Sequence, residues 1–353
     1  MQSVQELADV FRTQAGICGA MGSAFNQALA DRCAGDLEAG GRSAELLSPW
    51  LGRDARSLFA DAVPLRWLGA FHDRALRGVD PELTAAYPAP GRPGKPQAAW
   101  AAIGMAMGED SAALARFMQH EPQTNEVLRS ACLLPGFLAI ARTTGLPLRL
   151  LELGASAGLN QFWDRYVYDL GSGGLWGDAA SPVRLAAEWR GPAPNLDQAV
   201  RVASRAACDR APVDLNDPAA CRRLRAYVWP DQFERLARLD AAVGLALREQ
   251  VVVERADALA FTLAHGAPQA GLGTVIYHSI FWQYLPDETQ RGLAAAIEEF
   301  GGQASATAPL AWLRMEPAAD NLSLIEVRLT LWPFGEEQRL ATCSPHGTWI
   351  AGD

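Results

Sequence analysis

The stretch Leu148–Asn160, LRLLELGASAGLN, constrains this chain more than any other. Leu148, Leu150, Leu151 and Leu153 form a continuous apolar run, the pattern of a strand covered on both faces and so of a parallel sheet. Glu152 falls at the carboxyl end of that strand, and Gly154, Ala155, Ser156, Ala157 and Gly158 follow as a turn almost without side-chain bulk. A helix is expected from Leu159. Strand, small-residue turn and helix amino-terminus together aim bare N–H groups and a positive dipole end at the crevice above a sheet. Open α/β folds bind nucleotide-like ligands there.

Three readings of the turn compete. An acid and glycines at the end of a first strand suit S-adenosylmethionine, whose approach needs an unobstructed backbone. The same five residues also spell G-x-S-x-G, the nucleophile elbow of serine hydrolases, with Ser156 as nucleophile. The third reading is a tight βα turn serving only packing. An elbow normally follows several strands, one of which supplies an oxyanion-hole loop. Here the turn follows the first recognisable strand and no HGG-type loop precedes it, so the hydrolase ranks last.

Upstream of Leu148 the pattern is helical, with Val4, Leu7 and Phe11 at helical spacing and helices expected at 64–78, 97–107, 109–119 and 123–143, the last kinked near Pro135. Downstream, strands and helices alternate, as a mostly parallel sheet requires. Strands are expected at 183–189, 200–208, Val251–Val253, Thr274–Tyr277 and 308–315, with helical stretches at 217–248, broken near Pro230, and 287–300. Strands at 323–332 and 339–350, joined through Phe334-Gly335-Glu336, can pair only as an antiparallel hairpin. The expected fold class is therefore α/β: a Rossmann-like, mostly parallel sheet with a terminal antiparallel hairpin, preceded by a large helical domain. The division expected is a helical cap at 1–147 and an α/β domain at 148–353, with an insertion at about 167–199.

A chain of 353 residues has room for two such domains. Its net charge of −9 argues against a nucleic-acid backbone as the main partner. The single lysine, Lys95, lies in a proline-rich loop, which argues against Schiff-base chemistry. The six cysteines and five histidines are dispersed without CxxC, HxxxH or HExxH spacing, so no metal site is expected. The amino-terminal segment lacks the features of a signal peptide, and no apolar run approaches the ~18 residues that cross a bilayer. A cytoplasmic protein without a membrane partner is expected.

Several segments carry a resemblance: FRTQAG at 11–16, PQTNEV at 122–127, LELGASAGLNQFWDRY at 151–166, APVDLNDP at 211–218, WPDQ at 229–232, YHSIFWQYLP at 277–286 and SPHGTW at 344–349. Together they resemble a bacterial family known as domain of unknown function 2332, itself similar to class I S-adenosylmethionine-dependent methyltransferases. The resemblance spans nearly the whole chain. It implies S-adenosylmethionine as cofactor and methyl transfer to a small or medium-sized acceptor. By that pattern Glu152 faces the methionine amino group, and Gly154, Ala155, Ser156, Gly158 and neighbouring Asn160 line its carboxylate and ribose. Asp209 takes the ribose hydroxyls, with Glu188 a rival because the spacing from Glu152 far exceeds the ~20 residues of a simple βαβ unit. Asp257 and Ala258 receive the adenine. His278 and Ser279 stand at the fourth-strand position that faces substrate, with His278 as general base.

Asn125, Glu126, Trp163, Trp282 and Tyr284 are candidates for the substrate-lining wall. For Asn125 and Glu126 the alternative is that this segment, with Thr124, caps a long helix. For the tryptophans, of which there are eleven, the alternative is core packing. Asp164 and Arg165 are read as a local ion pair, and His346 as a turn residue. A second functional class stays open: a non-catalytic adenosyl-ligand sensor or protein-interaction scaffold on the same fold. Replacing Gly158 by a bulky residue is expected to abolish cofactor binding with the fold intact.

Overall fold

The computed structural model describes residues 2–353, which divide into two compact units. One takes the residues up to Thr124 together with Asn216–Ala237; the other takes Asn125–Leu215 and Arg238–Asp353. This differs in two places from a single boundary at 147. Both differences come from long-range contacts invisible in local periodicity.

The first unit is helical. Its core gathers Leu7, Phe11, Leu29, Leu37, Trp67 and Phe71, and the Trp67 ring meets Phe11 edge-on and Phe71 at 4.7 Å. Asp54 and Asp80 cap the helices Ala55–Ala60 and Pro81–Ala86 by accepting from first-turn N–H groups. The helix Pro218–Ala226 joins this unit through the helix Val63–Arg77. Arg222 Nε donates to Asp73 Oδ1 at 2.9 Å, and the buried His72 donates from Nδ1 to the Ala226 carbonyl at 3.0 Å. Burial pushes the His72 pKa down to about 4, so its ring is neutral. At Gly69 a side chain would run into the Tyr227 ring, so close approach here requires glycine.

The second unit is built on a nine-stranded sheet. Its strands are β1 (Leu148–Leu153), β5 (Glu188–Arg190), β6 (Val202–Asp209), β7 (Glu254–Arg255), β8 (Gly273–Ser279), β9 (Leu310–Pro317), β10 (Ile325–Trp332), β11 (Gly335–Cys343) and β12 (Trp349–Gly352). They lie in the order β5-β12-β11-β10-β9-β8-β1-β6-β7. The block β7-β6-β1-β8-β9 is parallel throughout, and β10 and β11 form the expected antiparallel hairpin. Chain order reverses direction between β1 and β8, which makes their carboxyl ends the switch point of the sheet.

The helix Arg129–Thr144 runs unbroken through Pro135 and packs on one face, where Gly136 makes room for Leu313. The opposite face presents Leu151, Leu153, Ile276 and Trp312 to Phe261, Leu293 and Ile297 of the helices Ala258–His265 and Asp287–Gln303. Side chains alternate along a strand, so Glu152 and its register partner Tyr277 face the Arg129–Thr144 side.

Four local expectations are corrected. The segment after the turn is a short 3₁₀ stretch, Leu159–Arg165, with Phe162 outside helical geometry; five consecutive residues here are buried, so no amphipathic stripe can organise an α-helix. The helix expected from 123 begins at Arg129. The expected strand at 183–189 is two strands in two sheets: β4 (Arg184–Ala186) joins β2 (Val167–Asp169) and β3 (Leu175–Gly177), while β5 pairs with β12 at the far edge of the main sheet. Only Glu254 and Arg255 pair as a strand after Val251–Val253; Val251 and Val253 instead pack against Gly158.

Candidate functional site

Four non-helical departures cluster where β1 and β8 end. Gly154, Ser156 and Gly158 have φ of 67°, 55° and 72°, and Ile280, one residue past β8, has φ 49°. Left-handed backbone is unfavourable for serine and worse for a β-branched isoleucine, and such strain concentrates at functional sites. A side chain at Gly154 would collide with the Phe281 ring, so the two turns interlock.

The turn is not the open cradle of N–H groups that a helix amino-terminus would have made. Ala155 N–H donates to the Cys208 carbonyl at 3.0 Å and Ser156 N–H to Asp209 Oδ2 at 2.8 Å. Gly158 N–H reaches the Ala155 carbonyl at 2.8 Å, and Leu159 N–H reaches Asn125 Oδ1 at 3.0 Å. Four backbone donors at the turn are therefore already engaged within the protein.

Two side chains are poised for recognition. Glu152 is 5% exposed, and its nearest donor, the Tyr277 hydroxyl, is a long 3.4 Å from Oε2. Burial, with the nearby Asp209 charge adding to it, raises the Glu152 pKa to about 8 against the pull of Tyr277, so the acid is protonated at neutral pH. Ser156 is 8% exposed and its Oγ has no partner. A buried acid and a buried hydroxyl lacking good partners are both costly to the free protein and suited to a polar ligand.

The other predicted residues brace this pair. Asp209 ends β6, beside β1, and accepts from Ser156 N–H and, through Oδ1, from Ala211 N–H at 2.8 Å. Glu188 lies on β5 at the opposite edge of the sheet, paired with Arg190, so Asp209 is the acid that adjoins the turn. Asn160 accepts from Ser130 Oγ at 3.0 Å and donates to the Glu126 carbonyl at 3.3 Å. Asn125 and Glu126 hold the turn from above rather than capping a helix; Glu126 Oε1 also accepts from Leu128 N–H at 3.2 Å. Arg205 of β6 fastens the 3₁₀ segment by binding the Gln161 carbonyl and both oxygens of Asp164. Asp164 thus makes its close ion pair across the fold, with Arg165 at 3.7 Å.

Asp257 caps the helix Ala258–His265, accepting from Leu259 and Ala260 N–H groups through Oδ1, while Ala258 is buried behind it. Trp163 is core, stacked on Phe137 at 4.0 Å and on Trp176 at 5.7 Å. Trp282 stacks on His278, and Tyr284 is exposed beyond it. The Ser279 carbonyl accepts from Arg129 Nη1 at 3.3 Å.

His278 is 1% exposed, with both ring nitrogens engaged: Trp312 Nε1 donates to Nε2 at 3.1 Å, and Nδ1 lies 2.6 Å from Glu316 Oε1. Trp312 can only donate, so Nε2 is the acceptor and Nδ1 carries the proton. Glu316 also accepts from Phe281 N–H at 3.0 Å, which links the histidine to the strained turn after β8. Among the described residues no histidine is hydrogen-bonded to Ser156 Oγ, so the nucleophile–base contact of a hydrolase is missing.

Sequence reasoning did not find the bracing set Ser130, Tyr277, Arg205 and Glu316. The acid in RMEP at 314–317 was visible only as the end of a strand, and nothing local ties it to position 278.

Among the described residues no helix is long and apolar enough to cross a membrane. No curated protein and no solved structure shows significant similarity to the chain. A family model does match, over residues 8–351. The chain accordingly belongs to a family of uncharacterised proteins conserved in bacteria, domain of unknown function 2332.

Proposed function

We propose that the crevice where β1 and β8 end binds S-adenosylmethionine and that the protein transfers its methyl group to a small or medium-sized acceptor. The observation that carries this reading is the buried pair Glu152 and Ser156 at the switch point of the parallel block. An ammonium beside a carboxylate, as in the methionyl end of that ligand, matches one buried acid and one buried hydroxyl donor. The parallel order third-second-first-fourth-fifth supports a Rossmann-like assignment, since dinucleotide folds share it and place ligands at the same reversal. Asp209, with a second lone pair on each oxygen, stands where ribose hydroxyls fall, and Asp257 and Ala258 border the adenine position.

When bound, S-adenosylmethionine supplies an activated methyl group for direct displacement. The chain contributes orientation and a crevice that excludes water. Glu152 must ionise to pair with an ammonium, so binding releases its proton, and affinity rises with pH toward about 8. The second reading, a ligand sensor without turnover, is favoured by the engagement of both His278 nitrogens.

Calorimetry with S-adenosylmethionine and S-adenosylhomocysteine tests the site. Micromolar affinity, on the order of −8 kcal/mol, with proton release that depends on buffer is expected; absence of binding removes the assignment. Turnover in a panel of alcohol, carboxylate and amine acceptors separates enzyme from sensor.

A further inference from the structure

The methyl-transfer reading leaves its proton acceptor open, because the lone pair of His278 is held by Trp312. A different histidine sits on a loop that is tied to the segments ending β1 and β8. His346 lies in the loop between β11 and β12, in the segment SPHGTW. Its Nδ1 is 3.7 Å from Glu126 Oε2, and Glu126 is 4% exposed with Arg238 Nη2 at 3.8 Å from its other oxygen. The His346 side chain keeps 30% of its surface in solvent.

Three ties bring this loop to the site. The Glu126 carbonyl accepts from Asn160 at the end of the β1 turn. Arg129 spans from the Ser279 carbonyl at the end of β8 to the Pro345 carbonyl at 3.0 Å. Gly347, with φ 75°, passes so close to the Leu128 carbonyl that a side chain would not fit.

We propose that His346 is the general base of this crevice and Glu126 its positioning residue. The inference rests on the methyl-transfer reading for the identity of the reaction, though the dyad stands on its own geometry. An imidazole whose Nδ1–H is turned to a buried carboxylate presents the Nε2 lone pair outward. A bound acceptor's O–H or N–H bond breaks toward Nε2, and its bonding pair stays on the acceptor as nucleophile. The imidazolium formed is held against Glu126 until water takes the proton. Arg238 Nη2 approaches the other oxygen of Glu126 at 3.8 Å, and Arg129 sets the loop. Burial raises the Cys132 thiol pKa well above its ordinary value. The Glu126–His346 distance is longer than a hydrogen bond, as free catalytic pairs often are before substrate tightens them.

Nitrogen-15 NMR of the imidazoles in the full-length protein tests this without a known acceptor. Above pH 8 His346 is expected as the Nδ1–H tautomer in the wild type. In Glu126→Ala it is expected to drift toward the Nε2–H form that free histidine side chains favour. S-adenosylhomocysteine at saturation is expected to shift the His346 resonances. An Nε2–H tautomer in the wild type overturns the dyad and needs no variant that must fold. Binding of S-adenosylhomocysteine with His346 unmoved overturns its place at the crevice. If that ligand fails to bind at all, the methyl-transfer reading falls and the base role with it, while the tautomer still decides whether the dyad exists.

Discussion

The acids that end β1 and β6 sit on adjacent strands and have opposite fates. Asp209 is partly exposed, and each of its oxygens accepts a backbone N–H. Glu152 is buried, with only a long contact to Tyr277. The first is a brace that holds Ser156 in a left-handed conformation; the second is a protonated acid awaiting a partner. What separates them is the supply of donors. The N–H groups of Ala155 and Ser156 point toward β6, that of Gly158 back to Ala155 and that of Leu159 to Asn125, so none of these reaches Glu152. Burial without donors raises a carboxyl pKa, whereas backbone donors stabilise its charge.

The most damaging change to this arrangement is Gly158→Leu. Position 158 has φ 72°, and a Cβ there would come within 2.5–2.8 Å of Gln161, Val251 and Val253. Left-handed strain of ~1–2 kcal/mol adds to overpacking of ~1–3 kcal/mol. Urea denaturation is expected to show a loss of about 2–5 kcal/mol. The structure therefore removes this substitution as a clean probe of ligand binding, because it damages the fold itself. A midpoint equal to the wild type's would mean that the Val251–Val253 segment yields freely.

Asp209→Ala comes next. It strands the N–H groups of Ser156 and Ala211, and a loss of about 2 kcal/mol is expected by the same denaturation, since bonds to a charged acceptor are among the stronger ones. If Asp209 proves no more important to stability than Glu152, the contrast drawn between them fails.

Glu152→Gln acts in the opposite sense and depends on pH. The folded acid holds its proton up to about pH 8, against an ordinary value of 4.5. Between these values the native state binds more protons than the unfolded one, so the unfolding free energy of the wild type falls as pH rises through that window. Its stability is greatest below pH 4.5 as far as this group is concerned, and the contribution is gone above 8. The glutamine variant lacks this slope and is expected to exceed the wild type by a few kcal/mol above pH 8. S-adenosylmethionine affinity is expected to fall at least tenfold, ~1.4 kcal/mol. Parallel stability curves from pH 5 to 9 would show that Glu152 already ionises near its ordinary value.

The smallest stability effect belongs to Ser156→Ala. Its Oγ has no partner to lose, so thermal unfolding is expected to move by less than about 1 kcal/mol in either direction. Ligand affinity is expected to drop about tenfold, the value of one hydrogen bond at roughly 1 kcal/mol or more. A large loss of stability would reveal a structural role for the hydroxyl.

Much of the second unit was legible where one rule dominated locally. The continuous run at 148–153 reads as a buried parallel strand because no face of it is polar, and the structure has β1 over those same residues. The terminal hairpin follows from two adjacent strands joined by a short turn, which cannot be parallel. The segment 159–165 is 3₁₀ rather than α-helical, and its sequence does not announce this because buried residues on every side satisfy no single periodicity. Residues 125 and 126 looked like helix-capping neighbours because their partners, Leu159 and Asn160, lie far along the chain.

By itself the sequence determined the class of the sheet, the position of the acid at its switch point and the small-residue turn beside it, because apolar patterning and glycine placement act through nearest neighbours. Tertiary structure alone decided which acid adjoins the turn, which histidine has its lone pair taken, and which loop meets Glu126. Those outcomes depend on strand order and register between segments dozens of residues apart. Hydrogen-bond supply and burial follow from that register, and no local pattern encodes them.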